Sequence, residues 1–243
     1  MLEVSLGIDV EPDCPPYLAT QYRGVVEGLP RILDALDREG VPTTCFCTGQ
    51  VAERYPDRVR DLIRRQHELG CHGHTHRPFD SLSRAVASEE ITISSGILRS
   101  FGAAVTSFRA PNLRFPSAYL GLLEDSGYLV DSSQAKYKSA YYSSRASTRL
   151  RRFAASITSS VLRLPRWVRD PVLLSLSSPV VLFVHPWEFV DLTRERLRID
   201  CRFRTGEPAL RAVLEVIALF RNRGASFVRM RELGDRAPKR EAA

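Results

Sequence analysis

Long apolar runs are absent from this 243-residue sequence. A membrane-spanning helix needs about 20 consecutive, mostly apolar residues. No stretch approaches that length, so no span is expected. The opening Met1-Leu-Glu-Val-Ser has neither the basic start nor the apolar core of an export signal, which points to a cytoplasmic location. Neither a G-x-G-x-x-G nor a Walker A sequence occurs, which removes the usual sequence support for nucleotide binding. Cysteine is scarce and odd in number: Cys14, Cys45, Cys47, Cys71 and Cys201 show no zinc-finger spacing and read as reduced thiols rather than a disulfide framework. Cys45 and Cys47 share one face of an expected strand, as small buried residues do; a second metal site there is the alternative. Histidine is equally scarce, with 5 in the chain, yet His72, His74 and His76 stand together.

What is present suits one large domain. The hydrophobic fraction of 44% supports a sizeable core, and the length fits a single barrel better than two domains. The formal charge of +7 is carried mostly by arginine. It favours an anionic partner such as a phosphate-bearing substrate, an acidic membrane or nucleic acid; a basic surface suited to solubility explains it equally well.

Residues 2–11 alternate, with Leu2, Val4, Leu6, Ile8 and Val10 on one face and Glu3, Ser5, Gly7, Asp9 and Glu11 on the other, the pattern of a strand. Pro12, Pro15 and Pro16 then force the chain into a loop that also holds Asp13. Val25 to Leu36 recur at helical spacing, and Gly40 with Pro42 supplies the stop. Residues 43–48 read as a short buried strand. Val59, Leu62, Ile63 and Leu69 predict a helix ending at Gly70, which leads into the histidines. A helix from Ser83 to Gly102, a strand over 105–108, a helix from Pro116 to Gly127 and a strand over 128–130 follow. Residues 134–170, rich in serine and arginine, read as an irregular excursion. Val180 to Val184 is the most apolar strand, 208–224 an amphipathic helix and 227–230 a last strand.

Strand followed by helix is the recurring unit, and it predicts a parallel sheet with helices outside. Asp9, Glu11, His72, Arg109, Asp131 and His185 all fall at or just after the C-terminal ends of apolar strands, where barrels of this type place their active sites. His72 and His76, four apart, share a face in a helical turn or in extended chain and can grip one ion. A carboxylate completes such a set and leaves a position for water. Asp9 and Glu11 offer two carboxylates at one strand end, with Asp13 as a competitor. One carboxylate can touch the ion while the other accepts a proton from water. Arg109 is placed to orient the free one, and His185 to protonate a leaving amine. Metal-assisted hydrolysis of an amide or ester follows.

The order Asp9-Val10-Glu11, His72-x-x-x-His76, Arg109-Ala110-Pro111, Asp131-Ser132-Ser133 and Leu182-Phe183-Val184-His185-Pro186 resembles the polysaccharide deacetylase family, the NodB homology domain of carbohydrate esterase family four. The resemblance implies an α/β fold, a distorted (β/α) barrel of seven strands forming one catalytic domain over 1–235, with 236–243 as a frayed tail. It further implies Asp9 as catalytic base, Arg109 as its positioning residue, His185 as acid, and Glu11, His72 and His76 as ligands. One divalent ion is implied, zinc first, with cobalt, nickel or manganese fitting the same donors. Pro111, Asp131 and Trp187 are expected to contact substrate; turn chemistry with Ser132 is the alternative for Asp131, and for Trp187 a place in the core or cavity wall is the alternative to stacking on a sugar ring. Val10 separates the two acids that most members carry side by side.

The expected activity is removal of an acetyl group from an amino sugar of a glycan or of a lipid- or nucleotide-linked precursor, with the arginines from Arg145 to Arg169 receiving a phosphate. No nucleic acid partner is expected. The neighbouring reading keeps the site and changes the substrate to a formamide or another non-peptide amide. A reading of a different class is a non-catalytic glycan-binding module, which would not need all the candidate catalytic residues together.

Overall fold

The computed structural model describes residues 1–143 and 147–236. Its strands are β1 (Glu3–Val10), β2 (Thr44–Cys47), β3 (Glu68–Cys71), β4 (Ser107–Phe108), β5 (Val130–Asp131), β6 (Arg151–Arg152), β7 (Val180–Val184) and β8 (Ser226–Phe227). Seven of them follow the hydrogen-bonded order β6-β5-β4-β3-β2-β1-β7, and the two-residue β8 adds to β1. Every strand pair is parallel. Beyond β6, the Ser156 amide donates to the Val181 carbonyl at 2.8 Å, which brings the two ends of the order together. The result is a curled (β/α) half-barrel with helices outside.

The alternation along β1 explains both layers. Val4, Leu6, Ile8 and Val10 join the large cluster between strands and helices. Their neighbours Gly7 and Asp9 face the lumen, where Arg109 lies. The lower lumen is filled by Phe46, Val130, Val181, Val228, Met230 and Leu233. A helix over Met230–Arg236 closes that end: the Met230 amide donates to Thr44 Oγ1 at 2.8 Å and the Arg231 amide to Glu68 Oε2 at 3.1 Å. The opposite end, where the strands finish, stays polar. No helix among the described residues is long and apolar enough to cross a membrane.

Three sequence expectations require correction. The helix expected to run to Gly70 stops at Arg64, because Gln66 turns left-handed at φ 64° and the chain then enters β3. Residues 134–170 are more regular than expected, holding β6 and a helix over Arg166–Leu174. The last strand is Ser226–Phe227, and Met230 opens a helix instead of closing a strand. Of the expected tail, residues 237–243 lie outside the described residues, as does Arg145. Cys45 and Cys47 are buried in the large apolar cluster with Cys71, Cys14 is buried in a separate one, Cys201 is half-buried, and all five are free thiols.

Candidate active site

Asp9 and Glu11 leave the end of β1 two residues apart and both project into the lumen mouth. Among the described residues, one group can offer three metal-ligating atoms within 4.8 Å of one another: Glu11, His72 and His76. Glu11 Oε2 lies 2.5 Å from His76 Nε2 and 3.3 Å from His72 Nε2. Asp13 belongs elsewhere. Its two oxygens accept from the Arg23 and Gly24 amides at 2.9 and 2.8 Å, so it fixes the turn that opens the next helix.

The donors fit a divalent cation. His72 stands at the end of β3, and its Nδ1–H donates to the Arg109 carbonyl at 2.6 Å, which leaves the Nε2 lone pair facing Glu11. His76 Nε2 is buried and meets Glu11 Oε2 outside regular hydrogen-bond geometry, a close pairing of donor atoms that a shared cation would satisfy. Burial acts to raise the Glu11 pKa, yet His76, His185 and His72 outweigh it and hold the carboxyl well below its usual range. Its other oxygen, Oε1, accepts from the Trp187 indole N–H at 3.2 Å.

Beside this group, the wholly buried Arg109 donates to Asp9 Oδ1 at 2.7 Å and to Ser132 Oγ at 3.1 Å. Its guanidinium stacks 4.2 Å above the Phe46 ring. Gly7 provides the room, since a Cβ there would stand 2.5 Å from Arg109 Nη1.

Across the mouth, β7 ends in His185, whose Nδ1–H donates to Glu188 Oε1 at 2.8 Å. Arg163 Nε lies 2.7 Å from Glu188 Oε2, completing a buried ion pair. Burial works against a proton on His185, but the carboxylates of Glu11, Glu188 and Asp9 outweigh it and push its pKa up to about 9. Trp187 stacks on His185 with centroids 4.8 Å apart. The turn carrying these residues is held close to the helical segment Gly24–Gly28: Cβ atoms on Gly24 and Gly28 would stand 2.4 Å from Trp187 N and 2.0 Å from Pro186 O.

The structure thus brings Asp9, Glu11, His72, His76, Arg109, His185 and Trp187 to one mouth. Pro111 is buried in the turn that follows Arg109. Asp131 is buried, with Oδ2 accepting from Arg152 at 2.9 Å and Oδ1 from the Ser133 amide at 3.0 Å. Sequence reading missed Glu188 and Arg163. The His-x-x-Glu spacing at a strand end was the available signal for Glu188; nothing in the pattern marked Arg163.

The sequence model of the polysaccharide deacetylases matches residues 12–130. That span includes His72, His76 and Arg109, while Asp9, Glu11 and His185 join them only in three dimensions. A peptidoglycan deacetylase-like protein of Gibberella zeae is 28% identical over 132 residues, 52% of this chain and 38% of that protein. A peptidoglycan deacetylase of Helicobacter pylori is 25% identical over 107 residues, 44% of this chain and 36% of its own length. The matched part therefore spans little more than a third of these relatives. A Mycobacterium smegmatis structure assigned to the polysaccharide deacetylases superposes with a TM-score of 0.71 at 18% identity, over 100% of this chain and 94% of that one. Residues 12–130 thus match the polysaccharide deacetylase domain, and the whole chain shares the barrel of a structure assigned to that family, with the candidate residues gathered at its mouth.

Proposed function

We propose that the chain is a metal-dependent hydrolase that removes the acetyl group from an N-acetylated sugar of a glycan. The observation that carries the reading is the Glu11-His72-His76 group, within 4.8 Å, set between the Asp9–Arg109 pair and the His185–Glu188 pair. When bound, a divalent cation supplies a Lewis-acid charge that polarises the acetyl carbonyl and acidifies water. Zinc is the ion best suited to two imidazoles and one carboxylate, and cobalt, nickel and manganese accept the same donors.

Asp9 is the base in this reading. Its carboxylate accepts the proton of the attacking water while Arg109 fixes its orientation. His185 is the acid, carrying its transferable proton on Nε2 and giving it to the departing amine nitrogen. Glu188, neutralised by Arg163, holds the ring in that tautomer and stabilises the imidazolium. Trp187 covers one face of the ring and steadies Glu11 through its indole N–H. The names of the two curated relatives make N-acetylated amino sugars the first substrates to test. A phosphate on the substrate has less support, because Arg149, Arg152, Arg163, Arg166 and Arg169 each pair with a carboxylate of this chain.

The test is metal content together with acetate release from a panel of N-acetylated amino sugars and their oligomers. The parent is expected to hold about one ion per chain, and His72→Ala to lose it. Asp9→Asn and His185→Ala should keep the ion while acetate release falls by about 100-fold or more. A parent that binds the ion but releases no acetate moves the substrate to another amide; a parent that binds none overturns the reading.

A further inference from the structure

The loop that carries the two histidine ligands is conformationally unfavourable. Gly73 lies in the left-handed region at φ 75°, where glycine is at ease, but His76 lies there too, at φ 59°. A non-glycine residue in that region costs on the order of 1 kcal/mol and persists only where its surroundings over-determine it. That conformation is what turns the His76 ring toward Glu11, so whatever holds the loop also holds the ligand.

Two grips are visible. The first comes from the strand-to-helix turn after β2. There the Gly49 amide donates to the Gly73 carbonyl at 2.9 Å and the Gln50 amide to the His74 carbonyl at 3.2 Å. The second is a single side chain from the helix over Arg84–Arg99. Glu90 Oε2 accepts from the His74 and Thr75 amides at 2.8 and 2.9 Å, and Oε1 accepts from the Thr75 hydroxyl. Glu90 is 6% exposed and has no ion-pair partner among the described residues, so these loop donors are its prominent contacts. A buried carboxylate in that setting is expensive unless its hydrogen bonds are met, which makes the loop and Glu90 mutually dependent.

We infer that Glu90 is a positioning residue for the metal ligands: by binding both amides that precede His76, it holds the loop in the conformation that presents His76 Nε2 beside Glu11. The inference rests on the metal-binding reading above and extends it to a residue outside the ion's own donor set. Glu90 touches neither ion nor substrate; it acts through the backbone of residues 74 and 75.

Glutamine is the informative replacement, since its amide oxygen can accept from both backbone amides and its NH₂ can donate to the Thr75 hydroxyl. Alanine removes the grip altogether. The experiment is titration of metal-free protein with cobalt(II) in competition with a chelator, reading affinity and the visible cobalt spectrum, for the parent, Glu90→Ala, Glu90→Gln and Thr75→Val. Loss of an outer residue that orients a ligand weakens metal binding by about 10–100-fold, and that loss, with an altered spectrum, is expected for Glu90→Ala. Glu90→Gln should recover most of the affinity, and Thr75→Val should fall between. Parent affinity and spectrum in Glu90→Ala overturn the inference, even if its melting temperature drops, because the residue is then merely structural. Equal losses in Glu90→Gln and Glu90→Ala overturn it as well, since charge rather than positioning would be at work. If Glu90→Ala does not fold, the glutamine and valine variants decide: parent-like spectra in both, with parent-like affinity in Thr75→Val and weakened affinity in Glu90→Gln, count against it. A parent that takes up no cobalt brings down the metal reading itself, a result distinct from any of these.

Discussion

A methyl group on Gly7 would stand 2.5 Å from the Arg109 guanidinium. Arg109 cannot move aside freely, because it is pinned by Asp9, Ser132 and the Phe46 ring. Gly7→Ala is therefore expected to destabilise by about 1–3 kcal/mol, as overpacking does, and to lower kcat by displacing Arg109 from Asp9. Urea denaturation and steady-state kinetics read the two effects; parent values in both would show that the arginine yields at no cost. At this scale the sequence was largely legible. Asp9, Glu11, His72, Arg109 and His185 are reactive side chains at or just after the ends of apolar strands, a placement that periodicity reveals, and His76 follows from its four-residue spacing with His72. Glu90 and Arg163 were not legible, because their roles come from contacts between separate elements; Glu188 was legible in its His-x-x-Glu spacing but was passed over. Asp131 shows the converse: it stands at a strand end like the others, yet Arg152 and the Ser133 amide occupy its carboxylate.

Arg163 links two elements. Its ion pair with Glu188 supports the turn after β7, and its remaining nitrogens donate to the carbonyls of Asp200, Cys201 and Phe203 in the following segment. Removing one partner of a buried pair costs about 3–5 kcal/mol. Arg163→Met should loosen residues 191–206 ahead of global unfolding, so that limited proteolysis with mass mapping finds early cuts there. Cleavage at the parent rate would mean that the segment is held by its other contacts. Element boundaries were less legible than element types. β6 has two residues, too few for a period of two to register. The helix before β3 stops at Arg64, ahead of a left-handed Gln66, where no glycine or proline marks the stop.

For the molecule as a whole, acid titration is a direct readout. Burial acts to raise the Glu188 pKa, but Arg163 and His185 outweigh it; for Asp61, Arg64 and Arg65 do the same; for Glu124, the Thr148 hydroxyl leads. All three carboxyls are thus lower in the folded chain than their ordinary values of 4.5 for glutamate and 3.8 for aspartate. Such groups contribute stability that is present above the unfolded value and lost as pH falls through the folded one. The melting temperature is expected to fall as pH drops below about 4.5, less steeply in Glu188→Gln. A melting temperature that stays flat through that range would contradict it. The parallel barrel itself was legible from alternating strands and helices, whereas its closing contact between Ser156 and β7 lies in a segment with no periodic signal.

β1 lies between β2 and β7 and carries both Asp9 and Glu11 at its end. Trp187, which reaches Glu11, is 176 residues away in the chain. Contacts of such long sequence separation form late, because the loop must close before they give anything in return. A chain emerging from the ribosome therefore displays two carboxylates long before the acid and indole that face them exist. Barrel closure and site assembly become a single event, so a half-made chain has no competent site to expose.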